Sequence, residues 1–373
     1  MTLFRFGRPL LLATATAGIM LGTVASADGA VRKDPPASIR GAVYVPSNAY
    51  NAPQLWKNFS VEETRRDFGY ARQIHVNAFR VWASYEYWQK EPAKFQKELD
   101  QMLGVAHDSG IRILISLFEN DGVPPTEENM WTTDPKKAFA IQSPGREIAT
   151  GDKAGWEPPR TFVQWFMKRY GSDDRVLAIE VMNEPNVGKK GQAGTVPFAQ
   201  SMFTTAKSMQ GTVPLTLGSN RIEVAALFVP LGLDVIQFHM NFPANKEDLV
   251  QMMQAALDYG KKTGLPVWLT EWQRLRTSGS GFGKEKIAAS ERGTDYASVA
   301  STIHEYPVGS FFWCLMVKRA YLRGQRLNGT VNGLFWPDGS VTSLKDARAI
   351  AGDPALKLKE KPFPADFGTE AME

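Results

Sequence analysis

Short apolar runs alternate with longer amphipathic stretches along most of the chain, from Ile39 to about Ala351. The apolar runs are rich in β-branched residues, which is typical of buried strands, and the stretches between them repeat apolar positions at helical spacing. A regular alternation of strand and helix favours a parallel sheet. We count eight strand–helix units, which predicts one closed (β/α)8 barrel with enlarged loops and no second domain.

The predicted elements follow one another at regular intervals within a domain of residues 28–352. Strands are predicted at residues 41–45, 77–83, 111–118, 177–184, 214–217, 234–240, 266–271 and 309–316. Helices are predicted at residues 61–74, 93–108, 160–170, 196–209, 246–262 and 343–351, with another between the Gly-rich loop 278–283 and Tyr306. The tail 353–373 is rich in Lys and Pro, which predicts a surface strap or a disordered end.

One connection is much longer than the others. Residues 119–159 show no sustained period and contain Trp131 and Trp156. Long loops in compact domains are usually functional, so we interpret this span as a wall of the functional site. Glu119 and Asp121, at its start, either bind sugar hydroxyls or are solvated loop acids.

Chemically reactive side chains follow several of the predicted strands. Glu184, preceded by Asn183 and followed by Pro185, ends the fourth strand, and Glu271 ends the seventh. In a closed parallel barrel the carboxyl ends of the strands meet at one face, where catalytic groups are found. The sequence therefore predicts one cleft that contains the following residues: Arg80, Asn183, Glu184, His239, Glu271 and Trp313.

Two carboxylates in one cleft, without a cluster that has metal-ligand spacing, match the needs of retaining glycoside hydrolysis and call for no metal or other cofactor. One carboxyl group donates a proton to the leaving oxygen, and the other attacks the anomeric carbon, with about 5 to 5.5 Å between them. We expect Arg80 to keep the attacking carboxylate ionised, and burial and the neighbouring carboxylate to raise the pKa of the acid. Asn183 is expected to hold the sugar 2-hydroxyl.

The N-terminal residues 1–27 predict export. Arg5 and Arg8 precede an apolar stretch, residues 9–24, that is short for a spanning helix, and the small residues 25–27 form a cleavage site. Removal of the two arginines lowers the formal net charge from +4 to +2, and the remaining basic residues are scattered among acids. We therefore expect a secreted or periplasmic protein with an uncharged carbohydrate substrate and no nucleic-acid or membrane partner, while the oligomeric state stays open.

The strand ends also resemble a known group of enzymes. The strand that ends in Asn183, Glu184 and Pro185 and the later strand that ends in Glu271 resemble the clan A glycoside hydrolases, and the mature chain resembles cellulase-like family 5 within that clan. The resemblance implies a TIM barrel in which Glu184 is the acid/base and Glu271 is the nucleophile. It also implies active-site roles for Arg80, His239 and Trp313, with Trp313 as the floor of the subsite that holds the attacked sugar.

Two positions depart from the family pattern. Many members have a histidine at the end of the third strand, where this chain has Ser116, Leu117 and Phe118. Many also have a tyrosine two residues after the sixth-strand histidine, where this chain has Asn241. We therefore expect a retained hydrolytic centre with altered sugar contacts. Residues 110–117 are also similar to the mannanase branch, so the preference between mannan and glucan stays open.

These observations predict a retaining β-glycosidase that acts on a β-linked oligo- or polysaccharide. Endo action on glucan or mannan is the leading hypothesis, because the long third-strand loop and its tryptophans could line an open cleft. An exo-acting enzyme, with one end of its site closed by the same loops, is the main alternative. Two further alternatives stay open. One is a barrel that only binds carbohydrate, and the other is a barrel enzyme for phosphorylated sugars, which the Gly-rich residues 278–284 suggest.

Overall fold

The computed structural model describes residues 29–186, 188, 194–282 and 286–372, so the predicted signal sequence, residues 1–27, lies outside the described residues. Eight parallel strands form a closed barrel in which each strand pairs with the next one along the chain and β8 pairs with β1. This order confirms the predicted (β/α)8 barrel. The strands are β1 (Arg40–Val43), β2 (Ala78–Trp82), β3 (Arg112–Ser116), β4 (Val176–Glu180), β5 (Leu215–Leu217), β6 (Val235–Met240), β7 (Val267–Trp272) and β8 (Gly309–Phe312).

Helices connect the strands, and a small two-stranded sheet lies in the segment after β8. The helices are α1 (Ala52–Lys57), α2 (Val61–Gln73), α3 (Tyr85–Lys90), α4 (Pro92–Asp108), α5 (Glu127–Trp131), α6 (Arg146–Ala149), α7 (Glu157–Tyr170), α8 (Val196–Ser208), α9 (Ile222–Ala226), α10 (Lys246–Thr263), α11 (Ala300–His304), α12 (Arg323–Leu327) and α13 (Leu344–Ala351). The small sheet pairs β9 (Lys318–Arg319) with β10 (Val331–Asn332) in the antiparallel sense. None of the described helices is long and apolar enough to cross a membrane.

Most predicted elements are present, but several are shorter than the apolar pattern suggests. β4 ends four residues before Glu184, which has a left-handed φ of 43° that is incompatible with an extended ladder. β8 ends at Phe312, so Trp313 is the first residue after the strand. The helix predicted up to Tyr306 is only the five-residue α11, preceded by short 3-10 turns.

The barrel interior changes character along its axis. The lower part is apolar and contains Leu114, Leu177, Trp268 and Phe311. Gly41 belongs to this layer, because a Cβ atom there would lie 2.1 Å from the Phe311 ring. Above it the interior is polar and hydrogen-bonded, which prepares the carboxyl ends of the strands to hold buried charged groups. Its members include Arg80, Ser116, Glu180, Thr216, Gln237 and Thr270.

The segment after α13 packs back onto the domain. Glu360 forms a β-bridge with Val341, and the Trp336 ring lies 5.4 Å from the ring of Phe367. Arg319 and Glu370 form an ion pair. Residues 353–372 therefore cover the region below the small β9–β10 sheet.

Candidate active site

The six residues predicted to share a cleft lie together at the carboxyl ends of the barrel strands. Arg80 is in β2, His239 in β6 and Glu271 in β7, whereas Asn183 and Glu184 lie a few residues after β4 and Trp313 follows β8 directly. Four of them line one cavity together with residues of the surrounding loops, and His239 lines its outer part. Arg80 lies beneath the floor and is fully buried.

Arg80 is the centre of a buried ion cluster. Its Nε and Nη2 atoms donate to the two carboxylate oxygens of Glu180 at 2.8 and 2.6 Å, and its Nη1 donates to Glu271 Oε1 at 2.6 Å. Nη2 also donates to Asn183 Oδ1 at 2.6 Å. Burial opposes the charge, but the two carboxylates outweigh it and raise the pKa of Arg80. The guanidinium therefore stays charged and fixes Glu271 in place, which is the contact expected from the sequence.

Glu180 is a member of this cluster that the sequence analysis missed. Its side chain has no exposed surface and also accepts a hydrogen bond from Ser116 Oγ at 2.8 Å. The signal was an acidic residue inside an otherwise apolar strand, which requires a buried cation as partner. Ser116, one of the departures from the family pattern, thus helps to hold the carboxylate that orients Arg80.

Gly218, just after β5, leaves the space that this cluster needs. A Cβ atom at Gly218 would lie 2.7 Å from Glu180 Oε1, 2.8 Å from Asn183 Oδ1 and 3.0 Å from Arg80 Nη2. All three of those atoms are already fixed by short hydrogen bonds to one another, so they cannot move aside at low cost. The position therefore admits glycine alone.

Glu271 is held on both sides. Its Oε1 accepts from Arg80, and its Oε2 accepts from Asn241 Nδ2 at 2.8 Å. Asn241 is the second departure from the family pattern, and Gln273 Nε2 in turn donates to its Oδ1 at 3.1 Å. One charged and one neutral donor thus fix the orientation of the carboxylate.

Glu184 hydrogen-bonds to His239, with 2.5 Å between Oε1 and Nδ1, and to the carboxyl group of Asp121. Burial favours the neutral acid, but the hydrogen bond and charge of His239, the hydrogen bond of Asp121 and the charge of Arg80 together lower the pKa of Glu184. The expectation that the pKa of Glu184 is raised is therefore wrong. The raised pKa belongs to Asp121, at about 8, through burial and the neighbouring Glu184 and Glu271.

Glu119 extends the acidic group. It is 3% exposed, and its Oε1 accepts from Asn183 Nδ2 at 2.9 Å and from the backbone N–H of Asp121 at 2.8 Å. Burial and the charge of Asp121 raise the pKa of Glu119 well above its usual value. The cavity therefore has two carboxyl groups on the third-strand side with raised pKa values.

The reactive atoms of Glu184, His239 and Glu271 lie within 4.8 Å of one another. Such a group could hold a metal ion, but both oxygens of Glu271 already accept hydrogen bonds, one of them from a guanidinium. The negative charge that a divalent cation needs is therefore largely neutralised by Arg80. The arrangement is better suited to proton transfer and nucleophilic attack between the two glutamates.

Aromatic side chains form the floor and one end of the cavity. The Trp313 ring lies 5.6 Å from the ring of Trp82 and 5.3 Å from that of Tyr321. Trp131 and Trp156, which were expected in the wall, do not line the cavity. Trp156 is buried against Phe198, and the Trp131 ring faces the ammonium groups of surface lysines.

A closed parallel barrel with two facing carboxylates, an arginine beneath one of them and an aromatic floor defines a glycoside hydrolase of the barrel type. The chain matches the family model of Cellulase (glycosyl hydrolase family 5) over residues 42–319, and it belongs to this family. Family membership makes the protein a glycosidase for β-glycans.

Solved structures with the same fold are distant in sequence. An endo-1,4-β-D-mannanase from Thermotoga petrophila RKU-1 has 13% identity and a TM-score of 0.55, over 84% of this chain and 98% of that chain. The exo-β-1,4-mannosidase Op5Man5 from Opitutaceae bacterium strain TAV5 has 15% identity and a TM-score of 0.56, over 84% and 58%. GH5_18 from Streptomyces cattleya, in complex with GlcNAc, has 12% identity and a TM-score of 0.55, over 89% and 87%. A search of curated protein sequences returned no match.

Proposed function

We propose that the protein is a retaining β-glycosidase that hydrolyses a β-linked mannose- or glucose-containing glycan by double displacement, with Glu184 as acid/base and Glu271 as nucleophile. The observation that carries the proposal is the approach of the two carboxyl groups, whose nearest atoms lie within 4.8 Å. Retaining glycosidases keep their carboxyl groups about 5 to 5.5 Å apart, whereas inverting enzymes need about 6.5 to 9.5 Å to admit a water molecule.

The hydrogen bonds around each carboxyl group suit its role. In the first step a Glu271 oxygen attacks the anomeric carbon, and the glycosidic bond breaks as Glu184 delivers a proton to the leaving oxygen. Arg80 and Asn241 hold the two oxygens of Glu271 in position before the attack. In the second step Glu184 removes a proton from water, which attacks the same carbon and releases Glu271.

The proton for the first step is held by a pair of acids. Asp121 hydrogen-bonds to Glu184, and its pKa of about 8 means that the pair keeps one proton at neutral pH. His239 contacts the other side of Glu184 through Nδ1. The Glu184 carboxyl group lies within 4.8 Å of Glu271, so we assign delivery of the shared proton to Glu184.

The proposal is tested by hydrolysis of β-mannan, β-glucan, xylan and aryl β-glycosides by the wild-type protein and by Glu184→Gln and Glu271→Gln. Both variants should lose at least about a thousandfold in kcat/KM, whereas the exposed Glu223→Gln should behave as wild type. A 2-deoxy-2-fluoroglycosyl fluoride of the hydrolysed sugar should leave a covalent adduct on Glu271, visible by mass spectrometry. Inversion at the anomeric carbon, followed by NMR, would refute the mechanism.

A carbohydrate-binding barrel without catalysis is the second candidate. Unchanged sugar binding in both glutamine variants, together with no turnover of any of these substrates by the wild type, would establish it. We also propose export, which the arginines and apolar stretch of residues 1–27 support.

A further inference from the structure

The cavity above the two glutamates has two connected parts. The inner pocket has its own lining residues: Glu119, Asn183, Glu271, Gln273, Trp313, Tyr321 and Gln325. The lining residues that belong to the outer cleft alone are Gly122, Asn220 and His239. Asp121, Glu184, Asn241, Phe282 and Leu322 line both parts. Glu184 therefore stands at the boundary between them.

The position of Glu184 fixes the direction of a bound glycan. The acid protonates the leaving oxygen, so the leaving part of the substrate lies on the outer side of Glu184, and the attacked sugar lies over Trp313 in the inner pocket. The outer side is open and is bordered by the segments after β3, β5 and β6. Any sugar that precedes the attacked one would have to continue through the far end of the inner pocket.

Tyr321, Leu322 and Gln325 line the inner pocket, and the loop that contains them is joined through buried side chains to two further loops, which pack against Trp313 and Tyr321 through Ala52 and Ala140. We name the three loops, residues 46–54, 130–140 and 318–326, the end wall. Arg326 is 1% exposed and donates to the backbone oxygens of Ala320, Pro135 and Ala138 at 2.7, 2.5 and 3.0 Å. The backbone N–H of Ala140 donates to Tyr321 O at 2.9 Å. These bonds join the loop after β3 to the loop after β8.

The third loop is attached in the same way. Lys318 is 7% exposed, and its Nζ donates to the backbone oxygens of Pro46 and Ala49 at 3.0 Å each. Gln54 Nε2 donates to the backbone oxygens of Met130 and Thr132 at 3.0 and 2.8 Å. A buried cation or amide without its carbonyl partners would be strongly destabilised, so the end wall is a fixed part of the fold rather than a mobile lid.

We infer that the inner pocket holds one terminal sugar and that the enzyme removes single sugars from the non-reducing end of a β-linked oligosaccharide. This inference rests on the proposed roles of Glu184 and Glu271. The pocket offers polar groups for the hydroxyls of a chain end, from Glu119, Gln273 and Gln325. It differs from the leading expectation of endo action, for which Trp131 and Trp156 were expected to line the cleft, and neither of them lines the cavity.

The test uses substrates that differ only at the chain end. p-Nitrophenyl β-mannoside and β-glucoside identify the accepted sugar, and the reduced 1,4-linked pentasaccharide of that sugar is then compared with the same compound carrying a 4-O-methyl group on its non-reducing end. We expect the p-nitrophenyl monoside to be hydrolysed and the free pentasaccharide to release only monosaccharide at first. The methylated pentasaccharide should react at least about tenfold more slowly, which is the usual effect of one extra methyl group in a closed pocket.

A matched pair of variants tests the end wall itself. Arg326→Ala removes the cross-link between loops and should reduce the discrimination against the methylated substrate, whereas Arg323→Ala, an exposed arginine in the same helix, should keep it. If Arg326→Ala fails to fold, the wild-type comparison still decides. Hydrolysis of polysaccharide and methylated substrate at internal bonds, without turnover of monosides, would overturn the inference and leave the proposed function intact. No turnover of any substrate would overturn both.

Discussion

Asp121→Asn tests whether the Asp121–Glu184 pair holds the catalytic proton. The substitution keeps the size of the side chain and removes the carboxyl group whose pKa of about 8 sets the pH at which the pair loses its proton. In the variant Glu184 must hold the proton alone, while His239 and Arg80 still favour its ionised form. Because these contacts outweigh burial, the pKa of Glu184 is lowered, so the variant should lose this proton at a lower pH than the wild type.

The expected change follows from the loss of the group with the raised pKa. The alkaline limb of kcat/KM should move from about pH 8 in the wild type to a lower pH in the variant. General acid catalysis contributes about a hundred- to ten-thousandfold to a reaction rate, and the variant should lose most of this contribution at pH 7. Loss of the Asp121 hydrogen bond favours a protonated Glu184 to some extent, so we expect about a hundredfold loss at pH 7 and a much smaller loss at pH 4.5.

The assay is kcat/KM between pH 4 and 9 on an aryl glycoside with a poor leaving group and on the corresponding 2,4-dinitrophenyl glycoside. Departure of dinitrophenolate needs no proton, so that substrate should be hydrolysed by Asp121→Asn at close to the wild-type rate. Asp152→Asn, an exposed acid in the same long loop, is the control. An alkaline limb that does not move, or an equal loss on both substrates, would refute the shared proton and leave Asp121 as a sugar-binding residue.

Three further outcomes are expected. Glu86 is buried and hydrogen-bonded by Ser143, and burial raises its pKa to about 7, so the folded state keeps a proton that the unfolded state loses above about pH 4.5. The free energy of unfolding should therefore fall as the pH rises from about 4.5 to 7. In urea denaturation, Glu86→Gln should be more stable than the wild type by up to about 3 kcal/mol at pH 8 and equally stable at pH 4. The same pH dependence in both proteins would contradict this prediction. Gly218→Ala should displace the Arg80 cluster and lower kcat at least about tenfold, with a lower Tm by calorimetry; unchanged values would show that the cluster tolerates a side chain. Asn241→Ala should lower kcat/KM by about ten- to a hundredfold through loss of one hydrogen bond to a charged group, with an unchanged Tm, and Asn241→Gln should be only partly active.

The barrel and the position of its site could be predicted from the sequence because both depend on local patterns. Alternating apolar and amphipathic stretches specify strand and helix, and closure of the barrel then brings all strand ends to one face, whatever their separation along the chain. Arg80 and Glu271 are 191 positions apart, yet this rule alone predicts their proximity. Prediction at this level needs no side-chain distance.

The interior charge balance could not be predicted in the same way. Whether Glu180 points into the barrel depends on the register of β4 against β3, which shifts between Ile113 and Leu114. The proton between Asp121 and Glu184 is placed by a balance of burial, two like charges and the contact of His239 with Glu184. Each of these terms depends on distances of a few ångströms, and a sequence pattern contains no such distances.

The shape of the substrate pocket is the feature that is hardest to predict from the sequence, because loops outside the barrel determine it. Arg326, Lys318 and Gln54 close the inner pocket by binding backbone carbonyl groups, and a carbonyl is present at every residue. The residue types in the sequence therefore do not predict which backbone carbonyl groups these side chains bind. The same two glutamates on the same barrel can cut a chain internally or from its end, and the difference depends on whether loops far apart in sequence meet beyond Trp313.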